Sequence, residues 1–154
     1  MEESLKILML EDSPEDTELI SRVLQKSGMK FSRKVVDTQT EFEEALAAFR
    51  PNVILSDHGI PQFNSKEALN ISRRAGLECP FILVTGTVSE EFAAQCIVDG
   101  ADDYILKGNL TRLPSSINNA LLKEDRKLPA RRLLSSYSIP MKSLILLSIK
   151  PRMT

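Results

Sequence analysis

The sequence predicts a doubly wound α/β domain, and two patterns support this prediction. Five short apolar segments alternate with longer amphipathic segments along most of the chain. Three of the apolar segments contain almost no polar residue, which is typical of strands that are buried on both faces. Because strict alternation of strands and helices favours right-handed crossovers, we expect a parallel sheet that is covered by helices on both sides.

Local residue preferences set the bounds of each predicted element. The strands are predicted at residues 5–10, 31–36, 52–56, 81–85 and 103–106. Ser13 and Pro14 suit the N-cap and the first position of the first helix, and Gly28 suits its end. The second helix is predicted to begin at a capping box formed by Thr40 and Glu43. The other helices are predicted to begin at Ser65, at Ser89 and at about Thr111 or Pro114.

The composition is that of an ordinary globular domain. The chain has 154 residues, of which 42% are hydrophobic and 27% are charged. No apolar run approaches the roughly 18 residues that a membrane span needs, and the acidic N-terminus does not resemble a signal peptide. We therefore expect a cytoplasmic protein without a membrane span. The cysteines Cys79 and Cys96 and the single histidine, His58, are too few for a disulfide framework or a zinc site.

Charge is distributed unevenly along the chain. Residues 1–110 have a net charge of −8, whereas residues 111–154 have a net charge of +7. The alternating pattern also ends near Leu122, and two prolines, Pro129 and Pro140, interrupt the remainder of the chain. We therefore predict one domain at residues 1–124 and a basic extension at residues 125–154 that is not a separate domain.

Polar residues follow four of the five predicted strands. Glu11 and Asp12 follow the first strand, Asp57 follows the third, Thr85 ends the fourth and Lys107 follows the fifth. In an open parallel sheet, ligands bind beyond the carboxyl ends of the strands, where the strand order reverses. We therefore expect these side chains to share one site.

Three of these residues indicate a metal-binding site. If the first and third strands are neighbours, the carboxylates of Glu11, Asp12 and Asp57 lie close together and repel one another. A hard divalent cation removes the repulsion, and Mg²⁺ suits a few carboxylates together with phosphate oxygens. Asp57 is then suited to act as a nucleophile towards a phosphoryl group, with Lys107 and Thr85 able to contact the phosphoryl oxygens.

Four segments, MLEDSPED, ILSDHGIP, LVTGT and DDYILKGN, resemble the signature regions of response-regulator receiver domains in bacterial two-component signalling. The resemblance covers residues 5 to about 124, so the predicted domain at 1–124 would be the receiver domain. It implies a flavodoxin-like (βα)5 three-layer sandwich with parallel strand order 2-1-3-4-5.

The resemblance also assigns the metal-binding residues. Asp57 would be the phosphoacceptor. Mg²⁺ would be bound by Asp12, by Asp57 and by the backbone carbonyl of Gly59, and Glu11 would hold the ion through water.

Three further residues would contact or report the phosphoryl group. Lys107 would pair with the phosphoryl oxygens, Thr85 would move towards them, and Tyr104 would swing inwards as Thr85 leaves space. One position departs from the family pattern, because Gly108 stands where a proline usually follows the site lysine. Since a cis peptide bond without proline costs about 3 kcal/mol, we expect the Lys107–Gly108 bond to be trans.

The function implied is a phospho-accepting receiver of a phosphorelay. The phosphoryl donor would be a histidine kinase or a histidine phosphotransfer protein, and the output would pass to a downstream protein through the surface of helix 4, strand 5 and helix 5. The chain would not be an enzyme, beyond assisting its own phosphorylation and dephosphorylation. About 30 residues follow the receiver, which is too few for a DNA-binding domain, and a homodimer is left open.

Three alternatives remain at this point. A receiver-like module could bind partners without being phosphorylated, although it would have no need of the charged cluster. A flavin-binding protein needs hydrogen-bond donors after the first strand, and the acidic segment EDSPED would repel the flavin phosphate. An aspartate-based phosphohydrolase would place its nucleophile after the first strand with an aspartate two residues later, and Glu11-Asp12-Ser13 lacks this spacing.

Overall fold

The structure of the protein is a computed structural model that describes residues 4–58, 60–61, 63–77, 79–86 and 90–123, apart from the side chain of Glu90. The strands are β1 (Leu5–Leu10), β2 (Phe31–Val36), β3 (Val53–Ser56), β4 (Phe81–Thr85) and β5 (Asp103–Leu106). The helices are α1 (Pro14–Lys26), α2 (Gln39–Ala48), α3 (Ser65–Arg74), α4 (Glu90–Val98) and α5, whose described part is 113–123. A 3₁₀ helix, Lys107–Arg112, connects β5 to α5.

The five strands form one parallel sheet in the order β2-β1-β3-β4-β5. This order confirms the predicted topology. Leu10 at the end of β1 pairs with Val36 of β2 on one side and with Ser56 of β3 on the other. The carboxyl ends of these three strands therefore lie side by side, and the residues that come after them share one edge of the sheet.

Helices cover both faces of the sheet, and each face has its own apolar core. On β1, the side chains of Leu8 and Leu10 lie on the face of the sheet that packs against α2 and α3. Those of Ile7 and Met9 lie on the opposite face, which packs against α1 and α5. All four side chains are fully buried. This alternation is the strand periodicity of two, and it makes the domain the predicted three-layer sandwich.

The start of α2 corrects the predicted capping box. The N-cap is Thr38, whose Oγ1 accepts a hydrogen bond from the Glu41 backbone N–H at 3.2 Å, and Glu41 Oε1 accepts one from the Asp37 N–H at 3.3 Å. Thr40 and Glu43 have the same three-residue spacing, so the sequence pattern alone fits both pairs. The earlier pair caps the helix because β2 ends at Val36.

The other helix starts are close to the predictions. Ser13 caps α1 as predicted, and its Oγ accepts from the Asp16 N–H at 3.2 Å. Helix α3 begins at Ser65 as predicted, and its N-cap is Asn64, whose side chain accepts from the Glu67 N–H at 2.9 Å. Ser89, the predicted start of α4, lies outside the described residues.

The amino ends of β4 and β5 are joined by one guanidinium. Arg73 of α3 donates to the carbonyl oxygens of Leu77 at 3.2 Å and Cys79 at 2.9 Å, both in the segment that leads into β4. It also donates to the Gly100 carbonyl at 3.1 Å, in the segment that leads into β5. These contacts lie at the opposite edge of the sheet from the carboxyl ends of the strands.

The described residues up to Leu121 form one compact unit. The predicted division into a domain at 1–124 and an extension at 125–154 stays a prediction, since residues 124–154 lie outside those described. Within the described part of the chain, every helix is too short or too polar to cross a membrane.

Candidate functional site

Backbone hydrogen bonds hold two acidic residues at the ends of adjacent strands. The Glu11 N–H donates to the Val36 carbonyl at 3.0 Å, which continues the ladder between β1 and β2 by one residue. The Asp57 N–H donates to the Leu10 carbonyl at 2.9 Å, which does the same between β3 and β1. Both side chains therefore emerge at the carboxyl edge of the sheet from rigid backbone.

The carboxylates of Glu11, Asp12 and Asp57 converge, as the sequence predicts. Each of the three residues offers an oxygen atom, and these atoms lie within 4.8 Å of one another. Glu11 and Asp57 are only 4% and 7% exposed, whereas Asp12 lies on the surface. We call these three residues the acidic cluster.

Lys107 faces the acidic cluster. Its Nζ lies 2.7 Å from Glu11 Oε1 and 3.1 Å from Asp57 Oδ2. The lysine occupies the first position of the 3₁₀ helix that follows β5, so the end of β5 directs its side chain across the edge of the sheet towards β1 and β3.

A third carboxylate, Asp16, contacts the same ammonium, and the sequence patterns did not predict it. Asp16 Oδ2 accepts a hydrogen bond from Lys107 Nζ at 2.6 Å. Asp16 lies in the first turn of α1, the helix that follows β1. The one signal in the sequence was its position four residues after Asp12, which is a common place for an acid near a helix N-terminus and does not by itself indicate a contact with lysine.

The ion pairs change the protonation equilibria of both partners. Burial of Lys107 favours its neutral form, but the hydrogen bonds to Asp16, Glu11 and Asp57 outweigh this effect and hold the Lys107 pKa well above its usual range. Burial, together with the charge of Asp57, raises the pKa of Glu11 to about 7, although contact with Lys107 and the Ser13 N–H opposes the rise. The ammonium is therefore fixed as a cation, while the Glu11 carboxyl group titrates near neutrality.

The two Glu11 oxygens have different environments. Oε2 accepts a hydrogen bond from the Ser13 N–H at 3.1 Å. Oε1 is buried, and its partner among the described residues is the Lys107 ammonium, 2.7 Å away. Burial makes the ionised form of this carboxyl group costly unless a cation lies beside it. Two hard carboxylate neighbours within 4.8 Å make this a set of oxygen donors that suits a divalent cation such as Mg²⁺.

The remaining predicted residues have separate surroundings. Thr85 is the last residue of β4, is 3% exposed and pairs in register with Leu106, next to Lys107. Tyr104 is half-buried and packs on the apolar core shared with α2 and α3. No cis peptide bond occurs in the described residues, which confirms that the Lys107–Gly108 bond is trans. Gly59 lies outside the described residues.

His58 follows Asp57 but points elsewhere. Its ring centroid lies 3.9 Å from that of Phe92 on α4, and its Nδ1 lies 3.3 Å from the Ser65 Oγ at the start of α3. The half-buried imidazole therefore packs between the beginnings of two helices. This environment favours a structural role for His58.

The family model for the response regulator receiver domain matches residues 7–118. The chain belongs to this family. The match covers the sheet except for the first two residues of β1, and it includes every residue of the acidic cluster as well as Lys107. Receiver domains are signalling modules of two-component systems, and the chain is one of them.

Two curated relatives are transcriptional or metabolic regulators. The alkaline phosphatase synthesis transcriptional regulatory protein SphR of Synechococcus elongatus is 26% identical over 137 residues, which cover 81% of this chain and 51% of SphR. The methanogenesis regulatory protein FilR1 of Methanothrix harundinacea is 28% identical over 124 residues, which cover 76% of this chain and 27% of FilR1. The chain thus spans about half or less of the length of these relatives.

Solved structures support the same fold. A signal receiver domain from Vibrio parahaemolyticus superposes with a TM-score of 0.73 at 20% identity, covering 82% of this chain and 97% of that one. A response regulator from Hahella chejuensis superposes with a TM-score of 0.64 at 28% identity, covering 77% and 92%. The likeness covers nearly all of each solved domain, so the predicted fold class is confirmed.

Proposed function

We propose that the chain accepts a phosphoryl group on Asp57 from a phosphohistidine of a histidine kinase or a histidine phosphotransfer protein. One observation carries this proposal: the acidic cluster and the Lys107 ammonium meet at the carboxyl edge of the sheet, with 3.1 Å between Lys107 Nζ and Asp57 Oδ2. A nucleophilic carboxylate beside a fixed cation is the arrangement that transfer of an anionic phosphoryl group requires.

The acidic cluster is also the proposed Mg²⁺ site. Asp12 and Asp57 would bind the ion with the backbone carbonyl of Gly59, and Glu11 would hold it through water. The three carboxylate oxygens that lie within 4.8 Å of one another support this assignment. When bound, Mg²⁺ supplies positive charge that offsets the charge of the incoming phosphoryl oxygens.

The transfer itself needs little from the chain beyond position and charge. A carboxylate oxygen of Asp57 attacks the phosphorus, a P–O bond forms as the P–N bond to the donor imidazole breaks, and the bonding electron pair stays on the nitrogen. Lys107 stabilises the phosphoryl oxygens through its ammonium, and the Thr85 hydroxyl donates a hydrogen bond to one of them. Apart from this step and the later hydrolysis, we propose no enzymatic activity.

The output would be a change in surface shape. Movement of Thr85 towards the phosphoryl group would let Tyr104 turn inwards and alter the surface formed by α4, β5 and α5. A downstream protein that binds the altered surface more tightly would shift the two-state equilibrium.

The test is direct phosphorylation. The protein is incubated with Mg²⁺ and acetyl phosphate, and intact-mass spectrometry is used to look for a gain of one phosphoryl group. We expect the gain in the wild-type protein, its loss when EDTA is added, and its loss in Asp57→Asn.

Asp99→Asn is the matched control, because it removes an aspartate at the far end of α4, where Asp99 accepts a hydrogen bond from Gln95. This variant should be phosphorylated like the wild type. A phosphoryl adduct that persists in Asp57→Asn would show that another residue is the acceptor. Absence of any adduct in the folded wild-type protein would favour a binding-only module.

A further inference from the structure

Lys107 binds three carboxylates, and the three do not have the same role. Glu11 and Asp57 belong to the acidic cluster, whereas Asp16 does not. The contact with Asp16 is nevertheless the shortest, at 2.6 Å, compared with 2.7 Å to Glu11 and 3.1 Å to Asp57. Asp16 therefore binds the lysine from outside the group of residues that suits a cation.

This difference matters once a divalent cation is bound. The ion would draw on the Glu11 and Asp57 carboxylates, which also face Lys107, and two like charges near one another repel. Lys107 would then keep one carboxylate partner that the ion does not share. A lysine side chain has four rotatable bonds and several rotamers, so loss of the contact with Asp16 would let the ammonium move away from Asp57.

The backbone around Asp16 makes the anchor rigid. The Asp16 N–H donates to the capping Ser13 Oγ at 3.2 Å, and the Asp16 side chain is 31% exposed, compared with 18% for Lys107. The carboxylate thus stands on the first turn of a capped helix that packs on the sheet. An aspartate on such a turn is better fixed than one on a free loop.

We propose that Asp16 is a positioning residue, which holds the Lys107 ammonium beside Asp57 by a contact that lies outside the metal site. The role of Asp16 in phosphoryl transfer rests on the function proposed above. The contact between Asp16 and Lys107 in the metal-free protein does not depend on that function, and it is tested separately.

Stabilisation of α1 alone is the competing explanation for Asp16, and the chain provides the control for it. Acidic residues in the first turn of a helix stabilise it through the helix dipole, and Glu15 and Asp16 are both in the first turn of α1. Glu15 is exposed and makes no ion pair with any described residue. Glu15→Gln and Asp16→Asn therefore remove the same charge from the same turn, but only the second removes a partner of Lys107.

The first experiment measures the reactivity of Lys107 in the metal-free protein. Each variant is treated with acetic anhydride at alkaline pH, and acetylation of Lys107 is followed by peptide mass spectrometry with the exposed Lys6 as internal reference. We expect Asp16→Asn to speed acetylation of Lys107 by about threefold or more, because loss of a carboxylate partner favours the neutral amine and frees the side chain. Glu15→Gln should leave it unchanged, and equal rates in all three proteins would overturn the proposal.

The second experiment is a double-mutant cycle on the phosphorylation rate. Asp16→Asn is expected to slow phosphorylation by acetyl phosphate by about three- to tenfold in the presence of Lys107, which is within the usual range of coupling between contacting residues. In Lys107→Met the same change should have no further effect. An equal loss in both backgrounds, or an equal loss in Glu15→Gln, would show that Asp16 does not act through Lys107.

The two experiments separate the two proposals. If the wild-type protein takes up no phosphoryl group, the proposed function fails, but faster acetylation in Asp16→Asn still supports the anchor. If phosphorylation occurs and acetylation does not change, the proposed function stands and the role of Asp16 is refuted.

Discussion

Glu11 is a carboxyl group whose protonation changes near neutral pH. Burial raises its pKa to about 7, and the Asp57 charge adds to the effect, against the opposing influence of Lys107 and the Ser13 N–H. In the metal-free protein Glu11 is therefore mostly neutral below this pH and mostly ionised above it. A metal ion needs the ionised form, so cation binding must release a proton whenever the pH is below the pKa.

We expect the apparent affinity for Mg²⁺ to depend on pH for this reason. Above about pH 7.5 it should be constant, and below about pH 7 it should fall by up to tenfold for each pH unit. Calorimetric titration of the metal-free protein with MgCl₂ measures this dependence. Glu11→Gln should bind more weakly at high pH and lose most of the dependence between about pH 5.5 and 7. A wild-type affinity that is the same across this range would contradict the assignment of Glu11.

At the level of residues, the sequence predicts the acidic cluster and Lys107 because their positions follow from a simple rule. Residues that directly follow parallel strands share an edge, whatever the details of packing. The contact between Asp16 and Lys107 does not follow from this rule. It depends on where the first turn of α1 stands above the sheet and on which way the lysine reaches, and both are tertiary features.

The ends of the helices show how one residue type can be replaced by another at the same backbone position. Gly28, Gly76 and Gly100 follow α1, α3 and α4 with positive φ angles of 88°, 80° and 120°. After α2 the corresponding conformation is adopted by Arg50, with a φ angle of 53°. A residue with a side chain is strained in this region, whereas glycine is not.

The strain at these positions can be measured at Gly76. A Cβ atom added at Gly76 would have no heavy atom within 4 Å, so Gly76→Ala introduces backbone strain without a steric clash. We expect it to lower the free energy of unfolding by about 1 kcal/mol. Urea denaturation followed by circular dichroism would measure the change.

Gly86→Ala is the matched control for this prediction. Gly86 has equally open surroundings, but its φ angle lies outside the strained region. Its substitution should change the free energy of unfolding by less than about 0.5 kcal/mol. Equal losses in both variants would mean that the loss of glycine itself, and not the φ angle, sets the cost.

Whole elements were easier to predict than their boundaries. The strands were predictable because an apolar run bounded by turn residues has few alternatives, and four of the five have the predicted limits. The capping box of α2 was misplaced by two residues because Thr38 with Glu41 and Thr40 with Glu43 have identical spacing. The 3₁₀ helix after β5 gave no clear signal, since i to i+3 hydrogen bonds have weak sequence preferences.

For the molecule as a whole, the acidic cluster is a source of electrostatic strain. The three carboxylates of the cluster converge, and the Lys107 ammonium pairs with two of them and with Asp16. This arrangement exists in the folded state only. A ligand that binds the folded state and not the unfolded chain stabilises the fold in proportion to the logarithm of its concentration. Mg²⁺ should therefore act on the stability of the entire domain.

We expect the melting temperature to rise with MgCl₂, with a gain of about 2.7 kcal/mol when the ion is at about 100 times its dissociation constant. Asp12→Asn should abolish most of this gain. Since Asp12 is exposed and makes no ion pair with Lys107, its loss should leave the metal-free protein at least as stable as the wild type. Thermal denaturation with NaCl at matched ionic strength separates specific binding from screening. A similar gain in both proteins would argue against the site.

The contacts of Arg73 fix the amino ends of β4 and β5 relative to each other. One guanidinium ties the entrances of β4 and β5 to α3, so these strands are anchored where they begin. Displacements that start at Thr85 or Lys107 would then pivot about the fixed amino ends of the two strands. A lysine ammonium lacks the planar guanidinium group that lets Arg73 reach three carbonyls. Arg73→Lys should therefore loosen these contacts and speed amide hydrogen exchange at the entrances of both strands. Unchanged exchange there would mean that the anchoring resides in the packed core instead.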